Sequence, residues 1–256
     1  MRIVIKIGTS TLAHPTGHLN IRLVEQLCKV VSDIKNAGHQ VILVSSGAIG
    51  MGVGKLGLRQ RPRDIPSKQA AAAVGQCELM YTYDKLFGEY NHTVGQLLIT
   101  AEDIGNPSRR ENFSNTLSRL LELDALPIIN ENDTVATEEI VIGDNDNLAA
   151  NVAQCVGADL LILLTDIDGL YTADPHKNPD AKLIPRIEAV TEEIFALAGG
   201  AGSSQGTGGM RTKLEAAERC LGNGIDMFIA NGSSPGNLYD ILGGKGTGTL
   251  FTARKC

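Results

Sequence analysis

The feature that constrains this chain most is a regular alternation of short apolar segments with longer stretches of helical periodicity. Segments of strand length and mainly apolar composition lie at residues 3–7, 41–44, 94–99, 126–129, 160–164 and 227–230, and those at 41–44 and 160–164 are apolar throughout. Continuous apolar runs are typical of parallel strands covered by helices on both faces. The pattern predicts an α/β fold, a three-layer αβα sandwich with a central, mainly parallel sheet of about eight strands.

The length of the chain fits a single unit of this type. The chain has 256 residues, and at roughly 150 residues per domain this allows one large domain or two small ones. We find no internal repeat and no linker rich in serine, proline or acidic residues. We therefore predict one domain over residues 1–256.

Charge and composition exclude several classes of protein. The formal net charge is −6 and aromatic residues make up 4%, whereas nucleic-acid binders are usually basic and single-strand binders use aromatic stacking. The longest apolar run, residues 160–164, is far shorter than the roughly 18 residues of a membrane span. Lys6 stands where a signal peptide has its apolar core, and the five cysteines include no C-x-x-C pair. We expect a cytoplasmic protein with reduced thiols and with neither nucleic acid nor a membrane as its partner.

Polar segments follow the carboxyl ends of the predicted strands, which is where ligands bind in open α/β sheets. Five such segments begin at Lys6, Ser45, Asn130, Asp144 and Thr165. Each segment alone has a composition that is common in turns without any function. Because the carboxyl ends of parallel strands meet at one edge of the sheet, the five together indicate a binding site there.

Glycine-rich segments near these strand ends do not match the two common nucleotide-binding loops. Residues 8–12 lack the G-x-G-x-x-G pattern, and the glycine-lysine pair at residues 54–55 is followed by leucine rather than by the hydroxyl residue of a Walker loop. The glycines of residues 50–54 are therefore expected to form a flexible loop. Glycine segments that precede helices bind anions, which favours a carboxylate at residues 46–48 and a phosphate at residues 206–209.

Two lysines flank these glycine segments. Lys6 belongs to an apolar strand, where burial of a lysine is unfavourable unless its side chain reaches the end of the strand. Lys213 is predicted in the first turn of a helix, where its charge is repelled by the helix dipole, so we expect a nearby anion that compensates it. No histidine lies beside a serine or cysteine that ends a strand, so nucleophilic catalysis has little support. Lysines, anion sites and carboxylates together indicate phosphoryl transfer by charge neutralisation. A carboxylate acceptor is already ionised at neutral pH and needs no general base.

Five motifs resemble those of the glutamate 5-kinase family, a branch of the amino acid kinase superfamily. They are KIGTS at residues 6–10, SSGAI at 45–49, INEND at 129–133, GDNDNL at 143–148 and GTGGMRTK at 206–213. The first two motifs occur loosely across the superfamily, whereas INEND with GDNDN is more specific to the glutamate enzymes. The resemblance runs from Lys6 to Phe251, so it implies that the predicted domain is an amino acid kinase domain, in a short form without the C-terminal RNA-modification-type domain of many members.

The resemblance implies ATP-dependent phosphorylation of the γ-carboxylate of L-glutamate, the first step of proline biosynthesis. It implies ATP and Mg²⁺ as cofactors, and the sequence indicates no protein ligand for the metal. The implied catalytic residues are Lys6, Lys213 and Asp146, the aspartate holding the two lysines in register. The implied glutamate-binding residues are Ser46, Asp133 and Asn145, supported by Asp144 and Asn130. The implied nucleotide-binding residues are Lys6, Gly8, Thr9, Thr165, Asp166, Thr207, Gly208, Gly209, Met210, Arg211, Thr212 and Lys213.

The resemblance also implies a homo-oligomer, feedback inhibition by proline and hand-over of the product to a reductase. Two alternatives stay open at this point. Another kinase of the superfamily would phosphorylate acetylglutamate, aspartate, uridylate or carbamate in place of glutamate. A metabolite sensor would keep the fold without the chemistry, although such a protein is expected to lack a lysine or the aspartate, and Lys6, Asp146 and Lys213 are all present.

Overall fold

The structure of the protein is a computed structural model that describes residues 1–14, 16, 18–136, 145–175, 177–198 and 209–252. The strands are β1 (Arg2–Ile7), β2 (Gln40–Ser45), β3 (Val94–Ile99), β4 (Leu126–Glu131), β5 (Leu160–Thr165), β6 (Arg186–Ile187), β7 (Asp226–Asn231) and β8 (Thr249–Phe251). The helices are α1 (Thr9–Leu12), α2 (Ile21–Asn36), α3 (Ala48–Lys55), α4 (Ile65–Gly88), α5 (Ala101–Gly105), α6 (Pro107–Glu122), α7 (Asp146–Val156), α8 (Glu192–Ala198), α9 (Met210–Gly222) and α10 (Asn237–Leu242).

One sheet of eight strands, in the order β3-β4-β2-β1-β5-β7-β8-β6, forms the centre of the fold. Neighbouring strands are parallel in every pair except β7 with β8, which is antiparallel. The predicted α/β fold with a mainly parallel sheet is confirmed. The sequence pattern does not predict β6, because a strand of two residues leaves no apolar run to recognise.

Side chains of the central strand β1 alternate between the two faces of the sheet. Ile3, Ile5 and Ile7 are fully buried in a core formed with α2 and α4. Val4 is fully buried in the core of the opposite face, formed with α6, α7 and α9. Helices thus cover both faces of the sheet, as predicted. Lys6 shares the face of Val4, so its side chain points toward α7 and α9.

Helix α4 spans 24 residues and packs one side against the sheet. Leu79, Tyr83 and Phe87 recur at helical spacing and are almost fully buried, and the rings of Tyr83 and Phe87 stack with centroids 6.0 Å apart. Other sides of the helix face solvent, where Tyr81 is 64% exposed. Within the ranges described above, no helix is long and apolar enough to cross a membrane.

Helices α3 and α4 cross in direct backbone contact, and glycines make this contact sterically feasible. A Cβ atom on Gly52 of α3 would lie 1.8 Å from the carbonyl oxygen of Ala71 in α4, and one on Gly75 would lie 1.8 Å from that of Ala48. The prediction of a flexible loop at residues 50–54 is therefore wrong, because these glycines belong to a packed helix. The crossing sets the position of the first turn of α3.

Candidate active site

A buried carboxylate joins two buried lysines at the carboxyl end of β1. The Nζ atom of Lys6 lies 2.7 Å from Oδ1 of Asp146, and Nζ of Lys213 lies 2.9 Å from Oδ2 of the same residue. The side chain of Asp146 is fully buried, and each lysine side chain is only 6% exposed. The carboxylate thus holds two ammonium groups together at this edge of the sheet. Cations held close together attract an anionic ligand such as a phosphate.

Each member of this lysine cluster comes from a different element. Strand alternation directs Lys6 toward α7, and Asp146 is the first residue of α7, where the helix dipole favours a carboxylate. Lys213 lies in the first turns of α9, and Asp146 is the anion that its position called for. The hydroxyl of Thr212 donates to the carbonyl of Gly209 at 2.8 Å and also lies 3.2 Å from Oδ2 of Asp146.

Buried amides connect the lysine cluster to the neighbouring strand ends. The side-chain amide of Asn145 donates to the carbonyl of Ser45 at 2.7 Å and to Oδ1 of Asn130 at 2.8 Å. The Nδ2 group of Asn130 donates in turn to Oε1 of Gln76 at 2.8 Å. These bonds tie the ends of β2 and β4 to α4 and to the start of α7, so they fix the position of Asp146 as well.

A pocket opens beside this amide network at the same edge of the sheet. Its lining residues are Thr9, Ser46, Gly47, Ala48, Ile49, Gly50, Arg61, Asn130, Glu131, Asp133 and Asn145. The three residues predicted to bind glutamate are all in this lining, and so is Thr9, which was predicted for the nucleotide. Asn145 adjoins Asp146 in the sequence, so the pocket and the lysine cluster are neighbours.

Helix α3 presents its N-terminus to the pocket. Gly47 caps the helix with a φ of 97°, a left-handed conformation that glycine adopts without strain, and the next three residues line the pocket. Free N–H groups at the start of a helix attract anions. Arg61 adds a cation to the lining, while Glu131 and Asp133 add carboxylates. This mixture of charges fits a ligand that carries both ammonium and carboxylate groups.

A hydroxyl pair supports the wall behind the pocket. The Oγ atom of Ser45 lies 3.0 Å from the hydroxyl oxygen of Tyr83. Burial raises the pKa of Tyr83, so the phenol stays neutral and the contact with Ser45 carries no charge. The pair therefore links the end of β2 to α4 behind Ser46.

Sequence reasoning missed Arg61 and Glu131 as residues of this pocket. Arg61 belongs to a polar connection, residues 56–64, that also contains Arg59 and Arg63, and a run of charges in a loop usually faces solvent. Glu131 is the last residue of β4 and reads as part of a turn. Both residues line the pocket only in the folded chain, where segments that are distant in sequence meet.

Residues predicted to bind the nucleotide lie around the ends of β1 and β5. The backbone N–H of Gly8 donates to the carbonyl of Leu164 at 3.1 Å. The hydroxyl of Thr165 donates to Oδ1 of Asp166 at 3.0 Å. Since β1 and β5 are adjacent parallel strands, these contacts place Gly8, Thr165 and Asp166 at neighbouring strand ends.

Asp168 organises the backbone just beyond β5, and sequence reasoning did not single it out. Its Oδ2 accepts a hydrogen bond from the hydroxyl of Tyr171 at 3.0 Å, and its Oδ1 accepts one from Nδ2 of Asn231 at 2.9 Å. Burial and the bond to Asp168 raise the pKa of Tyr171. The carboxylate thus joins the loop after β5 to the end of β7.

The start of α9 carries further residues predicted for the nucleotide. Gly209 caps the helix and Met210 is its first residue. Arg211 points away from the lysine cluster, since its side chain is 80% exposed and its Nε lies 3.1 Å from Oε1 of Glu215. Three residues named from the sequence lie outside the described residues: Asp144, Thr207 and Gly208.

Comparisons with known sequences agree over nearly the whole chain. The amino acid kinase family matches residues 1–231. A glutamate 5-kinase of Clostridium perfringens is 52% identical over 258 residues, which cover 99% of this chain and 96% of the relative. A glutamate 5-kinase of Clostridium acetobutylicum is 55% identical over 250 residues, which cover 98% and 94%.

Solved structures with a similar fold are more distant in sequence. A UMP kinase from Bacillus anthracis has a TM-score of 0.68 at 18% identity, with 99% of this chain and 96% of that chain covered. A carbamate kinase from Giardia lamblia bound to AMP-PNP has a TM-score of 0.69 at 16% identity, with 98% of each chain covered. At such identities the likeness shows the fold alone.

Proposed function

This chain is a kinase that belongs to the amino acid kinase family and, within it, to the glutamate 5-kinases, and from that premise we propose that it transfers the γ-phosphoryl group of ATP to the γ-carboxylate of L-glutamate. The products would be ADP and L-glutamyl 5-phosphate, an intermediate of proline biosynthesis. The observation that carries the proposal is the pairing of Lys6 and Lys213 with Asp146 beside a pocket of mixed charge.

The reaction forms one bond and breaks one. An oxygen of the γ-carboxylate attacks the γ-phosphorus of ATP, and the bond between that phosphorus and the β,γ-bridging oxygen breaks as ADP leaves. Carboxyl groups titrate near pH 4, so the acceptor is already ionised at neutral pH. No proton is transferred and no general base is needed, in keeping with a described pocket lining that contains no histidine.

Lys6 and Lys213 neutralise charge on the phosphoryl group during its transfer. Phosphoryl transfer is catalysed mainly by positioning and electrostatic stabilisation, and cations that are already in place in a water-poor site are especially effective. Asp146 contacts both ammonium groups and so fixes their separation. The anionic phosphoryl group would be transferred next to these two ammonium groups.

Different residues of the pocket are proposed to bind the different charged groups of glutamate. The carboxylate of Asp133 suits the α-ammonium group, and the hydroxyl of Ser46 can donate to a carboxylate. Asn145 already uses its amide nitrogen for Ser45 and Asn130. Its Oδ1 atom is left as an acceptor for the α-ammonium group.

The nucleotide lies along the ends of β1 and β5 and the start of α9. The residues proposed for it are Lys6, Gly8, Thr9, Thr165, Asp166, Gly209, Met210, Arg211, Thr212 and Lys213, with Thr207 and Gly208. Among the residues that the structure describes, no group of three or more His, Cys, Asp or Glu could hold a metal ion. Mg²⁺ in nucleotide sites usually binds phosphate oxygens, water and at most one or two carboxylates, which does not require such a group. When bound, the ion supplies further charge neutralisation.

A panel of acceptors tests the proposal. ADP release is measured with ATP, Mg²⁺ and either L-glutamate, acetylglutamate, aspartate, uridylate or carbamate. We expect turnover with L-glutamate, and trapping with hydroxylamine should give γ-glutamyl hydroxamate, which identifies an acyl phosphate product. Turnover with another acceptor and none with L-glutamate would overturn the proposal. No turnover with any acceptor would favour a metabolite sensor.

The remaining properties implied by the family extend the proposal. Added proline is expected to compete with glutamate in the same assay, and light scattering is expected to show a homo-oligomer. The labile acyl phosphate calls for a reductase that consumes it directly. We also propose that residues 1–256 form a single kinase domain, and limited proteolysis is then expected to release no stable fragment.

A further inference from the structure

We propose that Arg61 recognises the α-carboxylate of the acceptor and thereby selects an amino acid that carries two carboxylates. This inference rests on the proposed function, since it places glutamate in the pocket beside the lysine cluster. Arg61 belongs to none of the five motifs that carry the family resemblance. Its assignment comes from its position in the fold and from the charges around it.

Arg61 is available to a ligand. It lies in the connection of residues 56–64 between α3 and α4 and lines the pocket together with Ser46 and Asp133. Other arginines pair with acids, as Arg109 does with Asp103 at 2.8 Å. Within the described part of the chain, Arg61 has no hydrogen-bonding or ion-pair partner.

The distribution of charges in the pocket indicates which group of glutamate binds the guanidinium group of Arg61. Glutamate presents a γ-carboxylate, an α-ammonium group and an α-carboxylate. The γ-carboxylate must approach Lys6 and Lys213, and the ammonium group suits the carboxylates of Glu131 and Asp133. Arg61 is the one cationic side chain in the described lining, so the α-carboxylate is its partner. A guanidinium binds a carboxylate through two parallel hydrogen bonds.

The depth of the charged residues supports the same orientation. Lys6 and Lys213 are buried, whereas Arg61 is exposed. A ligand whose reacting end meets the buried lysines has its other end near the surface, where Arg61 lies. Arg61 then contacts the acceptor equally before and during transfer. Such uniform binding lowers KM without changing kcat.

The test compares two acceptors that differ only in the α-carboxylate, because 4-aminobutyrate is glutamate without that group. We expect Arg61→Gln to raise the KM for L-glutamate roughly tenfold or more, the usual effect of losing a charged hydrogen bond. The kcat with glutamate, the KM for ATP and the kcat/KM for 4-aminobutyrate should stay at their wild-type values. Arg61→Lys keeps the charge and should restore part of the affinity.

Arg59→Gln is the matched control, because Arg59 is exposed on the same loop and does not line the pocket. We expect it to keep the wild-type KM for L-glutamate. If Arg61→Gln weakens both acceptors equally, or leaves the KM for glutamate unchanged, the proposal is overturned. An unchanged KM would point to the N-terminus of α3 as the partner of the α-carboxylate.

Failure of the proposed function gives a different result, since the wild-type protein would then not turn over L-glutamate. In that case the contact between Arg61 and the α-carboxylate is tested by binding alone. The dissociation constants of L-glutamate and 4-aminobutyrate are measured by calorimetric titration for the wild type and for Arg61→Gln. A selective loss of glutamate binding supports the contact with Arg61. Identical behaviour of the two proteins, including no binding by either, overturns it.

Discussion

The ammonium group of Lys6 lies 2.7 Å from Oδ1 of Asp146, and both side chains are almost wholly removed from solvent. The second oxygen of the same carboxylate contacts Lys213. Water therefore does not compete for these contacts. The carboxylate sets the separation and orientation of both ammonium groups before a ligand arrives, which is the preorganisation that electrostatic catalysis requires.

Asp146→Asn keeps the shape of the side chain and removes its charge. Two buried ammonium groups then lose the carboxylate that contacts both of them, and the loss of one partner of a buried ion pair costs about 3–5 kcal/mol. We expect urea denaturation at neutral pH to show a decrease of about that size in the free energy of unfolding, and ADP release to be abolished. Saturating AMP-PNP should restore part of the stability, because its phosphates supply the missing anion.

Glu122→Gln is the control for this loss of stability. Glu122 pairs with Arg119 at 2.8 Å, and the two side chains are 62% and 68% exposed. Exposed ion pairs contribute about 1 kcal/mol or less because solvent and salt screen them. A loss in Glu122→Gln as large as that in Asp146→Asn would contradict the role given to burial.

Lys213→Ala separates binding from chemistry. The ammonium group is proposed to stabilise charge that develops during transfer, so kcat should fall by about a thousandfold or more. The dissociation constant of L-glutamate, measured by calorimetry, should change little. Arg219→Ala removes a cation from the exposed part of the same helix and should keep the wild-type kcat. Near-normal turnover by Lys213→Ala would refute the role of this lysine.

Local sequence patterns predict the sheet and the position of Lys6, because strands that are buried on both faces are recognisable as apolar runs. Central strands are buried on both faces, so residues such as Ile3 and Val4 form continuous apolar runs. Lys6 is conspicuous at the end of such a run. Its partner Asp146 follows from the family motif, because no local rule relates two residues so far apart in sequence.

Tertiary contacts account for what the patterns do not predict. Glycine disfavours helices by about 1 kcal/mol relative to alanine, so Gly52 reads as a loop residue. In the fold Gly52 is helical, and glycine is required there because the backbone of Ala71 occupies the space of a side chain. Arg61 reads as a solvated residue for a similar reason, since its neighbours in the pocket are distant in sequence.

Asp133→Asn tests recognition of the α-ammonium group. Loss of the carboxylate should raise the KM for L-glutamate roughly tenfold. Glutarate lacks the ammonium group, so its kcat/KM should not change, as measured by ADP release. Arg61→Gln is the matched comparison and should weaken both acceptors, because both carry the second carboxylate. A parallel loss of both acceptors in Asp133→Asn would argue against a contact with the ammonium group.

His92 is expected to make stability depend on pH. Burial of the imidazole and the nearby charge of Lys35 lower the pKa of His92 below its ordinary value of 6.5, against smaller opposing effects of a hydrogen bond with the backbone of Ser32 and of the charge of Asp124. Below about pH 6.5 the unfolded chain therefore binds more protons than the folded protein, so the free energy of unfolding decreases as the pH falls. His92→Gln should weaken this dependence in urea denaturation between about pH 7.5 and about pH 5.

His18→Gln is the control for the pH dependence, because His18 is exposed. It should follow the wild-type dependence on pH. The role of His92 is contradicted if wild type and His92→Gln lose the same stability over this range.

Gly75→Ala tests whether the crossing of α3 and α4 shapes the pocket. The added Cβ would lie 1.8 Å from the carbonyl oxygen of Ala48, so the helices must move apart. We expect a loss of about 1–3 kcal/mol in the free energy of unfolding and a higher KM for L-glutamate, because Ala48 lines the pocket. Gly88→Ala, in the same helix with no atom within 4 Å of the new Cβ, should keep the wild-type KM. An unchanged KM in Gly75→Ala would mean that the crossing stabilises the fold without shaping the pocket.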